Sequence, residues 1–173
     1  TSATPVAVLR ACMQMLKTAQ TVVLSYDVAM KAAQRHIEFE VNLAKSEAAL
    51  RRTVPDARLQ ITAPPAVAQL KLALINSDFQ TGPLPASVMH AVIGESSYGG
   101  VGGGGGLAVA RWLFDNPAVV ANKRVAEVGC GCGIGAIAAK MAGAAHVIAC
   151  DNDPDALVNA QANAALNDVP LAF

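Results

Sequence analysis

Val125-Ala-Glu-Val-Gly-Cys-Gly-Cys-Gly-Ile-Gly135 decides how the chain is read. Its first four residues form a short apolar strand carrying one acid, Glu127. A glycine then stands at every second position: Gly129, Gly131, Gly133 and Gly135. Glycine permits sharp turns and lets a ligand lie against bare backbone. The Ala- and Ile-rich stretch 136–142 follows directly. It predicts a helix whose first N–H groups face the loop. About twenty residues beyond the loop, a second strand, His146 to Cys150, ends at Asp151. An acid at that place holds ribose hydroxyls in open α/β sheets. Together these features describe a nucleoside-type pocket.

Two ligand classes compete for it. Nicotinamide dinucleotides prefer G-x-G-x-x-G/A, and Gly131-Cys-Gly133-Ile-Gly-Ala136 fits after a two-residue shift. That shift leaves Glu127 in a buried strand without a task, and an unpaired buried carboxylate is costly. The spacing Glu127-x-Gly129-x-Gly131-x-Gly133 instead resembles the first motif of the class I S-adenosylmethionine methyltransferases. That ligand has no pyrophosphate, so the loop must pass an amino-acid end and a sulfonium. The resemblance implies that Glu127, Gly129, Gly131, Gly133 and Asp151 form the cofactor site. It leaves open whether the site still binds or is vestigial.

The likeness extends outward. Leu107-Ala-Val-Ala-Arg-Trp-Leu-Phe-Asp-Asn-Pro precedes the motif, and Asp151-Asn-Asp-Pro-Asp-Ala-Leu-Val-Asn-Ala-Gln-Ala-Asn-Ala-Ala-Leu-Asn167 follows it. These segments resemble the lysine methyltransferases of the electron-transfer flavoprotein β subunit. The ribosomal-protein lysine methyltransferases are next nearest. Arg58-Leu-Gln-Ile-Thr62 is similar to that family's strand ahead of the domain. The family carries a Trp-Pro/Ala-Gly-Gly-Gln run before the helix that enters the domain. Here Tyr98-Gly-Gly-Val-Gly-Gly-Gly-Gly-Gly-Leu107 stands in its place. The family's fourth strand, and the acid and tyrosine after it that meet the substrate lysine, fall beyond Phe173. The expectation is a cofactor half without the usual catalytic half, and no catalytic residue is assigned.

Composition sets bounds on partners. Formal charge is zero, so nothing argues electrostatically for nucleic acid or an anionic membrane. Aromatic residues are only 4%, against 53% hydrophobic, so the core must be built from Ala, Val, Leu and Ile. That suits helices on a parallel sheet. No run reaches 18 uncharged apolar residues, so no transmembrane segment is expected. Cys130, Cys132 and Cys150 are read as small packing residues, since free cysteine behaves as a small hydrophobe, and no metal is assigned. Reduced thiols imply an intracellular compartment. The resemblance, with the missing initial methionine, directs that expectation to the mitochondrial matrix.

Residues 1–57 form a first, heptad-patterned segment in which 5–52 read as one long helix. Thr4 caps it, Pro5 fits its first position, Pro55 closes it, and Arg51 and Arg52 suit its negative end. Leu9, Leu16, Val23, Met30, Ile37 and Ala44 recur every seven residues. Cys12, Ala19, Tyr26 and Ala33 stand three further on. At 1.5 Å per residue the helix spans roughly 70 Å, more than a domain of this size covers. The seam therefore predicts other protein chains as partners through residues 5–52. The second functional reading follows: a non-catalytic subunit of a larger assembly, held by this helix. A protein substrate belongs to the enzyme reading.

Residues 58–106 read as irregular: a strand at 58–62, helices at 66–75 and 86–92, and a glycine-rich linker at 99–106. His36 and His90 read as structural or solvated, and Trp112 and Phe114 as core. Residues 107–173 read as a truncated cofactor-binding domain: helix, strand, loop, helix 134–143, strand 146–150, helix 154–166, strand 169–173. Alternation gives right-handed crossovers and a parallel sheet in order 3-2-1. The fold class is thus α/β, a partial Rossmann-like methyltransferase fold preceded by a long amino-terminal helix.

Overall fold

The structure, a computed structural model, describes residues 5–54, 56–75 and 103–173. Side chains of the first helix are described from Ser25 onward, Thr53 aside. Expectations for Thr4, Pro55, His90, the helix 86–92 and the start of the glycine run lie outside the described residues. The chain divides into two compact units, residues 1–35 and residues 36–173.

Helix α1 runs from Pro5 to Thr53 and ends on Arg51 and Arg52, as the sequence reading expects. In the first unit, Tyr26, Val28 and Met30 are all exposed. In the second unit, Ile37 and Val41 are exposed, whereas Phe39, Ser46, Ala49 and Leu50 are buried. The buried positions follow a helical period, but on a different face from the heptad seam. The helix end is tied to the turn after it. Glu47 Oε1 accepts from the Leu59 N–H at 2.9 Å, and Arg51 Nε donates to the Ala57 carbonyl at 3.3 Å. Leu50, Val54 and Ala57 close a small apolar cluster there against Leu59 and Ile75.

Strand β1 (Leu59–Thr62) pairs antiparallel with β2 (Leu72–Ile75), Leu59 opposite Ile75 and Thr62 opposite Leu72. A single 3-10 turn, Pro65–Val67, lies between them. This corrects the helix expected at 66–75. The Ala, Leu and Gln of that stretch favour helix locally, but Pro64-Pro65 breaks the chain and β1 supplies a partner ladder, so tertiary pairing overrides propensity.

Helix α2 (Gly104–Asp115) begins inside the glycine run, so the expected linker is already helical at its last three glycines. Gly106 lies against Ile134, where bare backbone permits close approach. Ala110 and Leu113 form its buried face. Trp112 is 51% exposed, not core as expected; the helical period turns it away from that face. Phe114 packs at the margin of the core.

Strand β3 (Arg124–Val128), helix α3 (Ile134–Met141), strand β4 (His146–Cys150) and helix α4 (Pro154–Leu166) complete the order. β3 and β4 pair in parallel, Arg124 opposite His146 and Val128 opposite Cys150. The expected third strand is reduced to a single parallel bridge, Ile148 to Ala172. Its backbone bonds run to Ala149 and Val147 on β4, so the sheet order is 3-2-1. The fold is mixed α/β and partly Rossmann-like. One core joins Ile134, Ile137, Val147 and Ala160 with Leu113 of α2 and with Val67, Leu70 and Leu72. The β1–β2 ribbon therefore shares its core with the parallel unit.

Candidate functional site

The parallel sheet places the carboxyl ends of β3 and β4 side by side, and the glycine loop leaves from between them. Cys130 N–H donates to the Cys150 carbonyl at 3.0 Å, which carries the pairing one step beyond β3. Gly129, Gly131 and Gly133 all have positive φ, at 71°, 52° and 80°. Side chains rarely adopt that conformation, so the alternating glycines are what the turn requires. A Cβ on Gly129 would meet nothing within 4 Å. The loop there is bare backbone facing open space, and Val128 before it is 87% exposed.

Asp151 stands at the end of β4, as the spacing predicts. Its Oδ2 accepts from the Gly131 N–H at 2.8 Å and its Oδ1 from the Asp153 N–H at 3.0 Å. The acid and the loop are thus directly joined. Asp153 in turn caps α4 by accepting from the Asp155 N–H at 2.9 Å, with Pro154 at the first helical position.

Glu127 has a task that its place in the strand did not reveal. Its carboxylate accepts from the Ala136 N–H at 2.7 Å, and the Gly135 N–H bonds to it as well. It therefore occupies the positive end of α3. A Cβ on Gly135 would lie 2.3 Å from Glu127 Oε1, so the fourth glycine of the run makes room for this acid. Burial holds the Glu127 carboxyl above its ordinary value of 4.5; the two backbone bonds oppose the shift and the Asp151 charge adds to it.

That shift has a consequence for stability. A carboxyl with a raised folded-state value takes up a proton on folding in the window between its unfolded and folded values. Stability from this group is greatest below about pH 4.5 and falls as pH rises through the raised value. Glu127→Gln stays neutral and keeps an oxygen for the Ala136 N–H. It should flatten that fall and gain on the wild type as pH rises through the window. Denaturant midpoints measured across pH for both proteins check this; parallel curves would refute it.

The cysteines split. Burial pushes the Cys130 thiol up to about 12, with the Glu127 and Asp151 charges adding to it, and the Cys132 thiol up to about 11. Both stay protonated near neutrality and act as packing groups. Cys150 is exposed, unlike the packing role expected for it. Among the described residues no group of three or more His, Cys, Asp or Glu side chains is placed to hold a metal ion.

Three asparagines spaced four apart, Asn159 and Asn163 on α4 and Asn167 at its C-cap, join the helix to distant backbone, and that spacing is the signal the sequence offers for them. Asn167 Oδ1 accepts from the Lys71 N–H at 2.9 Å while its Nδ2 donates to the Lys71 carbonyl at 2.6 Å. Asn163 Oδ1 accepts from the Ala73 N–H at 2.7 Å, and its Nδ2 donates to the Cys132 carbonyl at 2.9 Å. Asn159 Nδ2 reaches the Ala73 carbonyl at 3.5 Å.

A parallel β-α-β-α unit, a loop of left-handed glycines and an acid bonded to that loop make up a partial unit of the methyltransferase-like, Rossmann-type class of fold. Comparison with known proteins gives the same class: residues 112–173 match the family model of ribosomal protein L11 methyltransferase. The electron transfer flavoprotein beta subunit lysine methyltransferase of Danio rerio is 48% identical over 65 residues, 38% of this chain and 25% of that protein. Its Homo sapiens counterpart is 51% identical over 63 residues, 36% of this chain and 24% of that protein. The ribosomal protein L11 methyltransferase of Synechococcus elongatus is 58% identical over 50 residues, 29% of this chain and 17% of that protein. The chain thus matches about a quarter of the length of the flavoprotein-modifying relatives.

Proposed function

We propose that the loop 129–135 and Asp151 form the S-adenosylmethionine site of a protein-lysine methyltransferase, of which this chain supplies the cofactor-binding part. The observation that carries the reading is the bond from the Gly131 N–H to Asp151 Oδ2 beside the open backbone of Gly129. The carboxylate keeps free lone pairs for two ribose hydroxyls, and Gly129 leaves room for the ligand to lie on the main chain. Bound there, the cofactor supplies an activated methyl group. The residues of this chain orient it; Glu127 and Gly133 hold the loop. The names of the relatives support a lysine amine as acceptor. A dinucleotide fits less well, because Glu127 already occupies the helix end where a pyrophosphate would sit.

Titration calorimetry with S-adenosylhomocysteine tests the reading. The wild-type chain should bind, and Asp151→Ala should weaken binding by about 1.5–3 kcal/mol, the loss expected for charge-assisted hydrogen bonds. A folded wild-type chain that gives no heat overturns it.

A second reading, a subunit held in an assembly through residues 5–52, is favoured by the exposure of Tyr26, Met30, Ile37 and Val41 on α1. Soluble monomers seldom carry long apolar stripes. The purified chain should self-associate in light scattering, and Met30→Glu with Ile37→Glu should disperse it. A monodisperse wild-type monomer removes this reading.

A further inference from the structure

We infer that Asn163 is a positioning residue that fixes the glycine loop against the β1–β2 ribbon, so that the ribbon belongs to the ligand-binding unit. The inference rests on the proposal that the loop carries the cofactor. Asn163 is fully buried. Its one amide spends its oxygen on the Ala73 N–H of β2 and its nitrogen on the Cys132 carbonyl of the loop. A carboxylate in its place keeps the first bond and loses the second, and an apolar residue loses both.

Cys132 lies between Gly131, which is bonded to Asp151, and Gly133, the N-cap of α3. The loop is therefore fixed at three successive places: Gly131 on Asp151, Cys132 on Asn163, and Ala136 on Glu127. Two of these fixings lie within the parallel unit. The middle one passes through a side chain that also holds β2. Asn167 is a natural control. It bonds Lys71, the residue before β2, through both atoms of its amide, donates to the Asn163 carbonyl at 2.7 Å, and makes no bond to the loop. Both asparagines stitch the ribbon to α4, and of the two only Asn163 continues to the site.

The test compares Asn163→Ala with Asn167→Ala in the full chain, at a temperature where circular dichroism shows both folded. Hydrogen exchange is read without ligand. Asn163→Ala should speed exchange of loop amides 129–136 about ten-fold, the scale of one buried hydrogen bond, whereas Asn167→Ala should speed exchange in 71–75 and leave the loop unchanged. The dissociation constant for S-adenosylhomocysteine should rise about ten-fold in the first variant and hold in the second. Should Asn163→Ala not fold, Asn163→Ser, which keeps a hydroxyl at the site, takes its place. Equal effects of the two asparagines on the loop, or none, overturn the inference. Loop exchange that follows Asn163 in a wild-type chain that binds no ligand supports the coupling and overturns the cofactor reading alone.

Discussion

Gly135→Ala should cost about 1.5–3 kcal/mol, the worth of the charge-assisted bond it disrupts, although alanine is the better helix former by about 1 kcal/mol. The new Cβ would stand 2.3 Å from Glu127 Oε1 and 3.0 Å from its Cδ. The carboxylate is the far end of a flexible side chain, but it is not free to move. Its other oxygen is held by the Ala136 N–H at 2.7 Å. Yielding to the methyl group means surrendering the cap on α3. The sign should reverse when Glu127 is shortened: in a Glu127→Ala background, Gly135→Ala should become neutral or stabilising. A thermal or denaturant double-mutant cycle measures the coupling directly. Additive costs in the two backgrounds would show that the contact is not what makes glycine necessary.

Leu70→Ala should cost about 2–5 kcal/mol, as for a fully buried leucine elsewhere. Leu70 sits just before β2, in a stretch whose sequence reads as irregular, yet it is fully buried in the same core as Ile137 and Val147. A side chain in a connecting segment outside the core would change stability by no more than about 0.5 kcal/mol. The two outcomes are well separated in a denaturant titration. Ile137→Ala, from the centre of α3, sets the scale. A Leu70→Ala midpoint indistinguishable from wild type would detach the ribbon from the parallel unit.

These results also explain what the sequence made legible. The parallel unit was readable because three independent signals agree at 125–168: a glycine at every second position, alternation of strand and helix, and the Asp-Pro start of α4. Asp151 falls beside the loop because its distance along the chain follows from the length of one crossover helix. The ribbon was harder. Leu72-Ala-Leu-Ile75 contains a single β-branched residue, and its strand form depends on β1 and on the asparagines of α4, which are about ninety residues distant in sequence. No local pattern carries that information. Trp112 was misplaced for a related reason: composition says that aromatics belong in cores, whereas the face of α2 that is buried is set by Ala110 and Leu113. The motif singles out Glu127, but its capping of α3 needs the fold, because the N–H groups it meets lie eight and nine residues further on.

On the proposed cofactor reading, the setting of Asp151 bears on the kinetics and entropy of binding. Each of its oxygens already holds a backbone N–H, one from the loop and one from the turn into α4. The carboxylate is therefore oriented before any ligand arrives, and its rotamers were frozen when the chain folded. A ligand that docks on it meets a rigid acceptor pair and need not immobilise a side chain, which is worth about 0.5–1.5 kcal/mol per group in interfaces where ordering accompanies binding. Association should proceed in one phase, without a slow rearrangement of the loop.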